Sequence, residues 1–379
     1  MRIETAEAPA RIEAVPWIAG QVFETLVRFD VKGEVQPLLA TAWSHDAARR
    51  KWIFTARSGV KLHNGTLWAP SPESLAFADD RPVEAILRDL ARPRNAVAVR
   101  LVDGTVVGTG PYRVESFEAG SRVTLSANED HWAGRPFVDR VEVRFARNLR
   151  EQALDLETGQ ADVVEVPLLE IRRLRERGAR LAVPPATDIL ALVFEAPTNT
   201  PDQVREALAL SLDRKAIHGV LLQRMGEPSA ALLPQWLSGY AFVFPMERDV
   251  ANARAKGASS PSLPLDYDRQ DPLLRTVAER IILNAAEAGL TLRAGTGGVT
   301  LRRIHADSSD ARTALEDLAA VLGLTPPAES DLYEAERSLL AGYRVIPVVH
   351  LPRIHQLGAA VMNWSSDFAA VWLNEGNRP

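Results

Sequence analysis

The chain has 379 residues, more than a single typical domain requires, so two lobes are expected. Hydrophobic residues make up 46% and charged residues 25%, the balance of an ordinary globular protein whose core needs no disulfide or metal staple. With 44 Lys and Arg against 49 Asp and Glu the net charge is −5, which argues against a main task of gripping nucleic acid or anionic lipid, and the lack of cysteine excludes disulfides, thiol catalysis and cysteine-ligated zinc.

No run approaches the ~18 apolar residues of a membrane span. Met1 to Pro9 has no apolar h-region, so the chain is expected to carry no signal peptide of its own. The elements interleave as in a mixed α/β protein. Gln21 to Phe29 reads as an amphipathic element before a turn at Lys32-Gly33. Lys51 to Arg57 alternates bulky and polar residues, as a half-buried strand does. Strand-like segments follow at Val97–Val107, Pro111–Phe117, Ser121–Ser126 and Asp139–Phe145.

The middle is more helical. Arg150–Thr158 should end at Gly159, and Leu168–Arg177 at Gly178. Thr200-Pro-Asp-Gln supplies an N-cap, a proline at N1 and a glutamine at N3, so a helix is expected from there to about Gln223. Residues 226–264, rich in Pro, Gly, Ser and Ala, read as a linker or crossover. Asp271-Pro272 opens a strong helix with Leu273, Val277, Ile281 and Ala285 on one stripe and Gly289 at its close. Glu329–Leu340 should be helical, and Tyr343–Val349 an apolar strand.

No catalytic constellation emerges. His350 and His355 are five apart with Pro352 between them, whereas a helical zinc pair needs a spacing of four; both read as surface or loop histidines. No G-x-S-x-G elbow is present. Gly108-Thr-Gly110 lacks the third glycine of a dinucleotide loop, and Pro111 blocks a helix from starting there. No catalytic residue, metal ligand or cofactor is assigned.

Several blocks, in order, resemble a known family. They are Val22–Asp30; Gly33–Trp43; Trp52–Thr66, similar to "ytFhLRkGvkFhdGtp"; and Gly108-Thr-Gly-Pro-Tyr112 with Val114 and Phe117. Asn128–Pro136 resembles "N-x-x-Y-W-x-G-x-P", Thr158–Asp162 resembles "sGeiD", and Arg205–Arg214 resembles "vRqAlsyAiDR". Together they are similar to the family 5 extracytoplasmic solute-binding proteins, the dipeptide-, oligopeptide- and nickel-binding components of ABC importers. Trp43, Trp52, Phe54 and Trp132 read as large buried groups, and Gly65, Gly110 and Gly134 as turn residues. The stretch from Thr66 to Gly108 is short for the family. The aromatic-aspartate block with which peptide binders hold an amine lacks a clear counterpart between Gly298 and Glu329.

The resemblance implies an α/β, two-lobed periplasmic-binding-protein-like fold. Its discontinuous first lobe would span residues 1–245 plus 345–379 and its reduced second lobe residues 246–344. It further implies a monomer in the periplasm or another extracytoplasmic space, with cytoplasmic placement left open by the expected lack of a signal. Such a protein has no chemistry of its own: it closes a cleft on a small molecule or peptide and presents it to an ABC permease. Trp17, Trp364 and Asp367 are singled out as cleft-lining ligand contacts. The alternative is a ligand-sensing or interaction domain that kept the scaffold but not transport.

Overall fold

The computed structural model describes residues 1–78, 81–102, 104–195, 198–257, 261–306, 308–361 and 364. The chain divides into two compact units. The first comprises Met1–Val166, Ala179–Ala182 and the described residues from His355 on; the second comprises Pro167–Gly178 and Val183–Ile354. These boundaries differ from those expected at 245 and 345. Val345–Leu351 does not return to the first unit, because it pairs with Asp188–Phe194 at the heart of the second. The return comes later, where His355–Leu357 pairs with Val163–Glu165 and Leu181–Ala182.

The first unit holds a seven-stranded sheet in which Arg2–Glu4 lies between Val163–Glu165 and Arg140–Arg144, parallel to both. Val123, Leu125, Val141 and Val143 recur at every second position, so one face of the sheet is buried. The helix Pro16–Val22 packs Ile18, Ala19 and Val22 on that face. A second, smaller core gathers Phe54, Val60, Leu75, Ile86 and Leu87, with Trp43, Trp52 and Trp132 half-buried against it.

The polar groups of the family-like blocks tie these layers together. Glu24, buried, accepts hydrogen bonds from His131 Nε2 and Trp132 Nε1, both at 3.1 Å. The Arg57 guanidinium lies 4.0 Å from the centre of the Trp132 ring, a cation–π contact. Asn128 Nδ2 donates to Gly110 O at 3.0 Å. His63 accepts the Gly108 N–H at Nδ1 (3.3 Å) and donates from Nε2 to Gly110 O (3.0 Å), the pattern of a neutral imidazole. Burial accordingly pushes its pKa down to about 4.

Gly65 (φ 85°) and Gly134 (φ 101°) occupy the left-handed region, as turn glycines do. Gly110 does not; close approach is what demands glycine there. A Cβ would stand 2.4 Å from Gln21 O, and one at Gly108 would stand 2.0 Å from Val22 O. Both obstacles are backbone and cannot rotate aside. Gly110→Val is expected to cost about 3 kcal/mol by overpacking. Urea unfolding checks this, and an unchanged midpoint would refute it.

The second unit holds a six-stranded sheet. All seven residues of Asp188–Phe194 are buried, as suits a central strand covered on both faces. Ile189, Ala191 and Val193 pack on the helices Ala311–Val321 and Leu332–Leu340. Leu190, Leu192 and Phe194 point to the other side by strand periodicity. The helix Pro272–Glu287 is capped by Asp271, buries Leu273, Val277, Ile281 and Ala285, and is followed by Gly289 at φ 80°.

Three readings are corrected by the packing. The helix expected from Thr200 to Gln223 runs only over Asp202–Ser211, then breaks at Leu212-Asp213, where Asp213 caps a new turn. The expected linker is partly core: Ala230, Ala231, Leu232 and Leu233 are at most 1% exposed. His350 is no surface residue; it is 2% exposed and its Nε2 lies 3.1 Å from Ala231 O, while His355 is half-buried in a strand. Burial pushes the His350 pKa down to about 4.

Glu336 explains how the apolar segment at 230–234 is held. Its Oε1 accepts the N–H groups of Leu232 and Leu233, and its Oε2 accepts the Tyr240 hydroxyl at 2.6 Å. Burial pushes this carboxyl up from 4.5 to about 7. A carboxyl raised in the folded state adds stability that is complete below the unfolded value and is lost as pH rises through the folded one. Between pH 4.5 and 7 the protein is thus expected to shed about 3 kcal/mol on this account, against a flatter profile for Glu336→Gln. Chemical denaturation across that range measures it; identical slopes would contradict it.

Candidate functional site

One end of the second unit's sheet concentrates charge. The strand Asp188–Phe194 is antiparallel to both neighbours, so its first residue stands opposite the last residues of theirs, His305 and Leu351. Arg353 follows two residues beyond Leu351. The Asp188 side chain is fully buried, and a buried carboxylate must find counter-charge. It accepts Arg303 Nε at 2.6 Å, Arg353 Nε at 2.9 and 3.2 Å, and the ring N–H of His305. Burial alone would raise its pKa. The Arg303 charge, the His305 hydrogen bond and the Arg353 charge outweigh that and hold the carboxyl well below the usual range.

The geometry leaves capacity for a ligand. One carboxylate faces two guanidiniums, an excess of one positive charge before His305 is counted. Arg303 meets Asp188 only through Nε, so its two terminal nitrogens have no partner among the described residues. Arg303 and Arg353 are each 33% exposed. A guanidinium anchored at Nε presents a rigid fork that fits a carboxylate or phosphate bidentately. Two residues before Asp188, Ala186 O accepts the indole N–H of Trp236 at 2.8 Å, and Trp236 remains 37% exposed. An apolar wall next to a fixed polar anchor is the usual make-up of a small-molecule site.

Trp17 and Trp364, singled out from sequence, belong to the first unit. Trp17, in Pro16–Val22, and Trp364 are both half-buried against the first unit's sheet core, and Trp364 meets the His355 ring edge-on at 5.6 Å. Asp367 lies outside the described residues. Sequence reasoning did not find Asp188, Arg303, Arg353 or Trp236. The available signal was an acid opening the otherwise unbroken apolar run Ile189–Phe194, since such a charge calls for partners. Among the described residues, no three His, Asp or Glu side chains converge as a metal ion would require, and no helix is long and apolar enough to cross a membrane.

Two α/β units, with the chain crossing between them four times and a polar anchor at a sheet end, define a two-lobed binding-protein fold. The chain belongs to the bacterial extracellular solute-binding proteins, family 5, whose model matches residues 70–293. It is 26% identical over 247 residues to the nickel-binding periplasmic protein of Escherichia coli (strain K12), covering 52% of this chain and 47% of that protein. It is 21% identical over 334 residues to the probable D,D-dipeptide-binding periplasmic protein DdpA of the same strain, covering 73% and 64%. The chain thus matches about half to two thirds of the length of these relatives. Among solved structures, NikA from Staphylococcus aureus in complex with Ni(L-His)2 superposes with a TM-score of 0.78 at 15% identity, over 99% of this chain and 97% of that one. AppA from Bacillus subtilis in complex with a nonapeptide gives 0.76 at 12% identity, over 99% and 97%. The family is one of binding proteins, not of enzymes.

Proposed function

We propose that this protein is an extracytoplasmic solute-binding protein that captures a small solute, in the first place a peptide, by closing its two lobes, and delivers it as a monomer to an ABC-type permease. The observation that carries the solute class is the Arg303 fork, anchored on buried Asp188 with its terminal nitrogens unpartnered among the described residues. A peptide C-terminus or another carboxylate fits it, and Trp236 supplies the apolar wall. The D,D-dipeptide-binding relative and the nonapeptide complex support a peptide. The same reading keeps Trp17 and Trp364 as aromatic contacts of the solute and Asp367 as a polar one.

The test is a panel of di- and oligopeptides, their C-terminal amides and nickel–histidine, read by thermal shift and intrinsic tryptophan fluorescence. Free-acid peptides are expected to bind and the amides to bind at least tenfold more weakly. At ~100 times its dissociation constant a ligand adds roughly 2.7 kcal/mol of stability. Arg303→Gln should lower affinity at least tenfold while the unliganded protein melts nearly as before. Equal binding of acids and amides would remove Arg303 from the site. A folded protein that binds nothing in the panel would favour the sensing or interaction domain instead.

A further inference from the structure

A second concavity, of about 290 Å³, opens within the second unit between the short helix Ile171–Glu176 and the loop at 222–226. Its floor is apolar: Leu168 and Ile171 are buried and Met225 is half-buried. Its rim is cationic. Arg172 is neutralised by Glu176 at 3.0 Å, whereas Arg175 is exposed and has no partner among the described residues.

The loop gives an independent sign. Gln223, which lines the concavity, and Arg224 both adopt left-handed backbone, at φ 50° and 64°, and Gly226 follows at 80°. A Cβ at Gly226 would stand 2.1 Å from His350 O, so the loop is pinned to the adjoining strand. Consecutive non-glycine residues in this region persist only where the surroundings enforce them, and they cluster at ligand clamps. Nothing in the charged site around Asp188 requires this loop.

We propose that this concavity is a second binding site, for a small amphiphilic anion: a carboxylate or phosphate monoester on a short apolar body, with the head group on Arg175 and the body against Ile171 and Met225. The size matches. The volume lies at the small end of ligand pockets. A half-open concavity of this size takes a compact body, where a membrane surface would need a flat or protruding apolar face.

Octanoate, octyl phosphate, octanol and octylamine serve as probes in isothermal titration calorimetry on the full chain. Octanoate and octyl phosphate are expected to bind saturably, octanol at least tenfold more weakly, and octylamine not at all. Arg175→Ala should weaken octanoate at least fivefold, and Met225→Trp, which fills the floor, at least tenfold. Arg175 is exposed and without a partner among the described residues, so its variant keeps the test readable should Met225→Trp fail to fold. In an Arg303→Gln background octanoate should still bind saturably and still weaken at least fivefold on Arg175→Ala, which separates this site from the one at Asp188. Octanol binding as well as octanoate, or indifference to Arg175→Ala, would overturn the proposal. So would retention on phosphatidylglycerol vesicles without saturable octanoate binding, which would make the rim a surface contact instead.

Discussion

Arg214→Leu is expected to lower stability by about 3–5 kcal/mol, a large share of what a domain possesses. Arg214 is 2% exposed and no carboxylate is among its partners. Its guanidinium instead donates to Ser229 O at 2.8 Å, to Pro347 O at 3.0 and 2.9 Å, and to Ala209 O at 3.3 Å. Phe244 offers its ring face at 5.6 Å. Burial lowers the pKa to about 10, so the group stays charged at neutral pH. Pro347 explains the need. The ladder between Asp188–Phe194 and Val345–Leu351 shifts register beside it, and proline brings no N–H of its own. At this irregular point of the ladder the Pro347 carbonyl takes its donors from the guanidinium. Leucine would leave three buried acceptors short of a donor, each worth about 1–3 kcal/mol. Lysine should recover only part of the loss, since one ammonium cannot reproduce a planar fork reaching three carbonyls. Urea unfolding decides, and a loss under about 1 kcal/mol would show that the carbonyls find other donors.

Asp188→Asn is expected to cost about 2–4 kcal/mol and to disturb solute binding as well. The amide cannot balance two guanidiniums, and its NH2 would face donors from Arg303, Arg353 or His305. The figure is kept below that of a fully buried pair because both arginines are one-third exposed and water screens them. The pH dependence carries a separate signature. A carboxyl held below its unfolded pKa adds stability above that value and loses it as pH falls. The parent should therefore weaken below about pH 4 more steeply than the Asn variant. Comparison with Arg303→Gln separates the two roles of the cluster. Arg303 is expected to matter for affinity far more than for stability, and Asp188 for both. Equal thermal stability of the Asn variant and the parent at pH 7 would contradict the electrostatic account.

Much of the local structure was legible in the chain itself. Alternation placed the strands Lys51–Ala56, Arg122–Ala127 and Arg140–Arg144 within a residue or two. Local end signals placed Leu149–Glu157, closed by Gly159, and Pro272–Glu287, where Asp271 satisfies amides two and three residues away. The ordered blocks from Val22 to Arg214 pointed to the family and with it to the two-lobed fold.

What needed tertiary structure depends on partners far apart in sequence. The strand Val345–Leu351 carries the same apolar pattern whichever sheet it joins, and only its pairing with Asp188–Phe194 assigns it to the second unit. Gly110 is glycine because Gln21 O lies where its Cβ would be, a contact across 89 positions invisible to any local rule. His350 looked like a loop residue until Ala231 O was found beside its ring. The charged site follows the same logic. Asp188, Arg303 and Arg353 are each unremarkable in sequence, and antiparallel pairing of three strands brings them to one sheet end, where burial of one carboxylate organises two guanidiniums. Sequence determined the elements, because propensity, capping and periodicity act over a few residues. Tertiary structure alone decided which charges meet, because burial is a property of the assembled sheet.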